Sequence, residues 1–209
     1  MKNKMDIIKQ EQKLTKKGKE TRGRIVAAAA KLMFENGVAG TTVEEVQREA
    51  KVSASQLYHY FKEKRDLVLA VIVYQTEQVL STQESLLSHM DSIDALRAWR
   101  DAIVQLKIRS EYRGGCPIGS LASELADIDP AARIELEAGF LKWESSIRRG
   151  LRAMYERGDL RSDADPDRLA LALLTALQGG LLLTQVRKET CPLEIVLDEM
   201  IDHIASFVI

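Results

Sequence analysis

From Ser53 to Lys64 the chain reads Ser-Ala-Ser-Gln-Leu-Tyr-His-Tyr-Phe-Lys-Glu-Lys, a run in which most side chains can donate or accept a hydrogen bond. Ser53, Ser55 and Gln56 supply two hydroxyls and an amide, with the slim Ala54 among them. A helix starting there would also turn its first N–H groups toward an anion. Tyr58, His59 and Tyr60 are aromatics with polar tips that can lie along a sugar edge and donate to phosphate. Lys62 and Lys64 add cations whose hold on phosphate weakens with salt. Slim or hydrogen-bonding side chains on an exposed helical face are what the major groove of a duplex admits and reads. Leu57 and Phe61 break the pattern and are expected to face a core.

These groups need elements to hold them. Upstream, Ile25, Ala28, Ala29 and Leu32 recur at the spacing of an amphipathic helix, which is expected to stop at Asn36-Gly37. Thr42 with Glu45, or Thr41 with Glu44 in the alternative register, makes a capping box for a second helix carrying Val43, Val46 and Ala50 on its inner stripe. Lys51-Val52 interrupts it, and Ser53 with Gln56 is a second capping box. The third helix is therefore predicted from Ala54 to about Tyr60. Three short helices joined by tight connections are the plan of a helix-turn-helix.

Composition sets the frame. With 209 residues, 45% hydrophobic, only 5% aromatic and four prolines, the chain is expected to be all-α. Residues 1–66 hold 15 Lys/Arg against 9 Asp/Glu, whereas 67–209 hold 15 against 22, so a basic head sits on an acidic body. That asymmetry points to one polyanion-facing end. No apolar run approaches the roughly 20 residues of a membrane span, the N-terminus has no secretory h-region, and two cysteines 75 positions apart make no disulfide scaffold. A cytoplasmic chain with no membrane partner is the expectation. Without a Gly-rich phosphate loop, metal-ligand cluster or nucleophile elbow, neither catalysis nor a cofactor nor a metal is expected. The competing classes are a thiol enzyme built on Cys116, which lacks a motif-bearing histidine, and a helical adaptor.

Downstream the helices lengthen. They are predicted at about 64–88, 92–112 with Ser92 as cap, 117–127, 130–158, 166–186 and 192–207, about nine in all. Residues 1–20 read as a basic mobile arm, 21–66 as the DNA-facing domain and 67–209 as the body.

The stretch Thr21–Lys64, above all Thr42-Val43-Glu44-Glu45-Val46, Val52-Ser53 and Leu57-Tyr58-His59-Tyr60-Phe61-Lys62-Glu63-Lys64, resembles the N-terminal domain of TetR-family repressors. The resemblance covers about a quarter of the chain. It implies a homodimer that binds a palindromic operator in double-stranded DNA and is released by a small-molecule effector. It also implies DNA contacts at Thr42, Ser53, Ser55, Gln56, Tyr58, His59, Tyr60 and Lys64, with Ala54 on the same face. The sequence departs from the usual order at the end of the third helix, since His59 precedes Tyr60.

Similar repressors pair their last two helices across the dimer. Here that implies Leu173, Leu177, Gly180 and Leu181 of a helix apolar nearly all round, with Ile195, Met200 and Ile204 of the next. An effector is expected among the central helices, with Trp99, Leu106, Tyr112, Cys116, Phe140 and Trp143 as candidate lining. Cys116 precedes Pro117, so it should cap a helix whose dipole, with Arg113 nearby, favours a thiolate. The stretch Gly115–Leu125 is similar to one in a subset of the family, some members of which sense electrophiles or oxidants through a cysteine there. Modification or oxidation of Cys116 is thus the alternative to reversible ligand binding, beside an inert buried thiol.

Overall fold

The structure is a computed structural model that describes residues 14–209, so most of the expected basic arm lies outside the described residues. Nine helices follow in order: α1 (Lys16–Gly40), α2 (Val43–Ala50), α3 (Ala54–Tyr60), α4 (Lys64–Leu87), α5 (Ile93–Arg109), α6 (Pro117–Leu125), α7 (Pro130–Arg157), α8 (Pro166–Arg187) and α9 (Cys191–Ala205). The all-α expectation holds. Two compact units are present, one ending at Tyr74 and the other Gln75–Ile209, and the division falls within α4. It lies eight residues past the boundary expected at residue 66, because the first turns of α4, Leu67 to Ile72, are wholly buried.

In the first unit the core is built from small and branched side chains. Ile25, Val26, Ala29 and Met33 of α1 are buried with Val46 and Ala50 of α2, Leu57 of α3, and Phe61. The first helix starts earlier than expected. Thr15 accepts a hydrogen bond from the amide of Gly18, so Lys16–Glu20, assigned to a mobile arm, are helical. The anticipated stop at Gly37 is a kink instead. Gly37 takes φ 76°, a conformation that glycine enters without steric cost, and Val38–Gly40 turn once more before α2.

In the second unit, start signals read from sequence are realised. Asp129 accepts from the amides of Ala131 and Ala132, and Asp165 from those of Asp167 and Arg168, each followed by proline in the first turn. Gly158 closes α7 at φ 81°. The helix expected to reach residue 112 ends at Arg109, because Glu111 and Tyr112 both turn left-handed. Helix α7 packs on α6 and α8, and α9 packs on α8 and α5. Arg100 fastens α5 to α9 through Asp198 at 2.6 Å, and Arg157 of α7 reaches Asp91 just beyond α4 at 2.7 Å.

The expected dimer residues of α8 fall on its inner face. Leu173, Leu177 and Leu181 are buried within the single chain, as is Ile204 of α9. Gly180 also faces inward, where a Cβ would meet Leu193 Cδ1 and Val196 Cγ1 at 2.9 Å, so its close approach is to α9 of the same chain. Of the expected set only Ile195 is exposed, and Met200 is half-buried. The exposed apolar residues of α8 are Leu171, Leu182, Leu183 and Val186. With Thr175 and Gly179, residues 171, 175, 179, 182 and 186 form a second stripe at helical spacing. Periodicity could not say which face of an all-apolar helix looked inward. By length and composition α8 is also apolar enough to cross a membrane, which a search for uninterrupted apolar runs overlooked; its inner face is packed as a core helix.

The tightest contact in the second unit is backbone on backbone. A Cβ on Gly150 of α7 would lie 2.0 Å from the carbonyl oxygen of Met90, and no rotamer relieves that. Gly150→Ala is expected to lower stability by about 1–3 kcal/mol, the usual penalty of overpacking, seen as a lower urea midpoint. Gly23→Ala, in the open middle of α1 with nothing within 4 Å, should instead leave stability unchanged or raise it by up to ~1 kcal/mol.

Candidate functional site

Seven residues form α3, too few to persist alone in water, so each end is tied down. At the N-terminus the Ser53 hydroxyl accepts from the Gln56 amide N–H at 3.2 Å, and Gln56 Oε1 accepts from the Ser53 amide at 3.0 Å. At the C-terminus the amide of Phe61 donates to the Leu57 carbonyl, and both of these side chains are buried. The tight turn before α3 is closed by Lys51 in the left-handed conformation, φ 53°, with the Val52 amide reaching back to the Gln47 carbonyl.

What remains on the outside of α3 is polar and ring-bearing. Ser53, Ala54, Ser55, Gln56, Tyr58 and His59 are exposed and Tyr60 is half-buried, its ring edge-on to His59 at 4.9 Å. Because Gln56 uses its oxygen in the cap, its amide N–H groups stay free to donate. Two members of the expected set have other commitments. The Thr42 hydroxyl accepts from the Glu45 amide, which selects the Thr42–Glu45 register, and the Thr42 backbone N–H at 2.8 Å, with the hydroxyl at 2.9 Å, donates to the Glu45 carboxylate and holds it below its ordinary range. Thr41 is buried and donates to the Gly37 carbonyl. Half-buried Lys64 donates through Nζ to the Val38 carbonyl at 2.6 Å, tying the start of α4 to the turn after α1. Its ammonium is therefore not the free clamp that its sequence position suggested.

The effector candidates separate. Trp99, Cys116 and Trp143 are buried, while Tyr112 and Phe140 are half-buried. Leu106 lies about two turns from Trp99 on the same side of α5 but is 45% exposed, so it stands at the surface and not in the buried core. The Trp99 indole donates to Gln83 Oε1 at 2.9 Å, whereas the Trp143 indole N–H is buried without a partner. Cys116 does precede α6, but its side chain makes no capping bond. Burial pushes its thiol above the ordinary range, outweighing the amides of Gly119 and Ile118, the Gln178 side chain and Lys107, which pull the other way. Arg113 contributes nothing to a thiolate, since it is 80% exposed and paired with Glu111. Of the two readings the sequence left open, burial favours the inert buried thiol over the activated thiolate.

Sequence reading passed over Lys107. It is buried, and its Nζ donates to the carbonyls of Gly114 and Gly115 at 3.0 and 3.1 Å. A signal was present: Trp99, Ile103 and Lys107 recur every four residues, placing the lysine on the inward stripe of α5.

Residues 25–71 match the family described as bacterial regulatory proteins, tetR family, and residues 92–200 match the tetracyclin repressor-like C-terminal domain. The chain is similar to an uncharacterised HTH-type transcriptional regulator of Lactococcus lactis, 29% identical over 84% of this chain and 89% of the relative. It is similar to the HTH-type transcriptional repressor DhaR of Mycobacterium sp. strain GP1, 25% identical over 83% and 86%. The crystal structure of a TetR transcriptional regulator from Chloroflexus aurantiacus is 30% identical and superposes with TM-score 0.76, covering 93% of this chain and 98% of that one.

The two cysteines differ in accessibility, Cys191 exposed and Cys116 buried. At neutral pH, iodoacetamide is expected to alkylate Cys191 first and to reach Cys116 at a comparable rate only after urea unfolds the protein, as read by peptide mass mapping. Rapid native labelling of Cys116 would contradict the raised thiol.

Proposed function

Because the chain belongs to the TetR family of DNA-binding transcriptional regulators, we propose that it acts as a homodimeric repressor released from a palindromic operator by a small molecule. One observation carries the DNA-facing half of this reading: the polar and aromatic outer face of α3, held outward by a capping box at one end and two buried anchors at the other. Ser55, Gln56, Tyr58 and His59 then address the duplex, with Ser53 and Tyr60 at the margins. Base edges are read from the groove, and the tyrosine hydroxyls add phosphate contacts that fix register. Repression as the sign of regulation is supported by the printed description of the Mycobacterium relative.

The second copy is expected on the outer stripe of α8, at Leu171, Gly179, Leu182 and Val186, continued by Ile195 of α9. Gly179 has nothing within 4 Å of its missing Cβ, so it offers a helix from the partner a close approach. A two-fold pair would carry two copies of α3 that must lie roughly 34–36 Å apart to enter successive major grooves. An effector that binds better to a state with another spacing draws the population off the operator. The expected compartment is the cytoplasm, where the operator is.

Switching by modification of Cys116 is the second reading. It draws on the amides of Ile118 and Gly119 and on Lys107, which face the sulfur. Burial, the dominant influence on the thiol, favours reversible ligand binding instead.

Two variants test the first reading. Tyr58→Ala removes a half-exposed ring (49% exposed) from the proposed contact face. It should weaken binding to the flanking intergenic DNA about tenfold, the worth of one lost hydrogen bond to a charged phosphate, with an unchanged melting temperature. Leu182→Glu with Val186→Glu should turn the dimer into a monomer in sedimentation velocity and abolish operator protection in footprinting. A wild-type chain that sediments as a monomer, or that binds no duplex at low salt, defeats the proposal.

A further inference from the structure

We propose that the effector is a small organic acid whose carboxylate is taken by Lys107, in the corner where the α5–α6 loop, the start of α6 and Gln178 of α8 meet. The inference rests on the ligand-released reading and names the chemistry of the ligand. Its starting point is a cation without an anion. Lys107 is only 8% exposed, and its partners are two carbonyl oxygens, Gly114 and Gly115. Among the described residues no carboxylate acts on it; burial lowers its pKa, and the charge interaction that opposes this comes from the Cys116 sulfur. A buried ammonium held by carbonyls alone is costly, and a carboxylate is the group that offsets it best.

The rest of the corner offers donors. The Gln178 amide nitrogen is buried and has no oxygen or nitrogen acceptor, only the weakly accepting Cys116 sulfur, while its oxygen lies where a Cβ on Gly119 would be 3.1 Å away. The first amides of α6, at Ile118 and Gly119, face the Cys116 sulfur without a capping bond. Donors met only by a sulfur, beside a cation without an anion, call for an acceptor-rich ligand.

Access and response are also built in. Gln178 and Gln185 are half-buried, and Gln185 presses on Gly115 so closely that a Cβ there would be 2.6 Å from its Oε1. Both are flexible side chains that an entering molecule can displace. The loop held by Lys107 carries Glu111, Tyr112 and Gly114 at positive φ, two of them non-glycine residues that pay for that conformation. A carboxylate that draws Lys107 Nζ away from the Gly114 and Gly115 carbonyls removes one of the restraints holding this loop.

The test uses the full-length protein and straight-chain monocarboxylates from acetate to octanoate, each beside its primary amide. Thermal unfolding and release of flanking operator DNA are measured in parallel for wild type, Lys107→Met and Lys107→Arg. At least one acid should raise the melting temperature at a concentration about tenfold below that of its amide, the margin expected of a charged hydrogen bond. Lys107→Met should lose the acid preference and Lys107→Arg should keep it. Stabilisation of wild type by an acid and not by its amide supports the site whether or not DNA is released. Loss of DNA release alone would count against the repressor reading only. Equal response to acid and amide, an undiminished acid response in Lys107→Met, or a melting temperature that no acid moves would overturn the proposal; because stabilisation is read on wild type, misfolding of a variant does not spare it.

Discussion

A seven-residue helix cannot hold itself together in water, and the face proposed to meet DNA is carried by one. Helix nucleation fixes several residues for a single hydrogen bond, so a helix this short exists only where its surroundings already define it. Here Leu57 and Phe61 enter the core on one side, and the Ser53–Gln56 box satisfies the first amides on the other. The arrangement divides labour along α3: every fourth residue stabilises, and those between are free to be polar. Lys51 in a left-handed turn completes it by letting α2 end and α3 begin within three residues. Lys64 and Thr41 then close the turn that leads into α2.

The second unit obeys a different constraint, the need to satisfy an apolar helix on every side. Helix α8 sends Leu173, Leu177, Gly180 and Leu181 into its own chain and leaves Leu171, Leu182 and Val186 outside. The inner face sets how closely α9 approaches, through Gly180. At the other end of the unit Gly150 lets α7 lie directly on the backbone at Met90, and Arg157 locks the same junction through Asp91. The loop after α5 carries two left-handed non-glycine residues, Glu111 and Tyr112, and Lys188 at the end of α8 is a third in this unit.

Much of this was legible in the sequence, and what was legible was local. The caps at Thr42, Ser53, Asp129 and Asp165, the stop at Gly158 and the inward turn of Leu57 and Phe61 each depend on residues a few positions apart. The start of α1 was not legible, because Lys16–Arg24 has no apolar period to announce a helix. Nor was the inner face of α8, where leucines on all sides carry no direction. At Cys116 the sequence offered a thiolate, from its position before a proline, beside an inert buried thiol, and burial, which depends on residues far away in sequence, favours the inert one. Lys107 lay on a readable stripe and was hidden only by the habit of assigning lysines to the surface.

The outer ridge of α8 bears on the protein before it ever meets DNA. A single newly made chain exposes four large aliphatic side chains there, with Val186 70% exposed and Leu182 58% exposed. Ridges of this kind recruit whatever apolar surface comes first. Where a second copy covers it, as proposed, stability becomes a function of how much protein a cell holds, and low expression would leave each chain more vulnerable to clumping and to proteases than its own core would suggest.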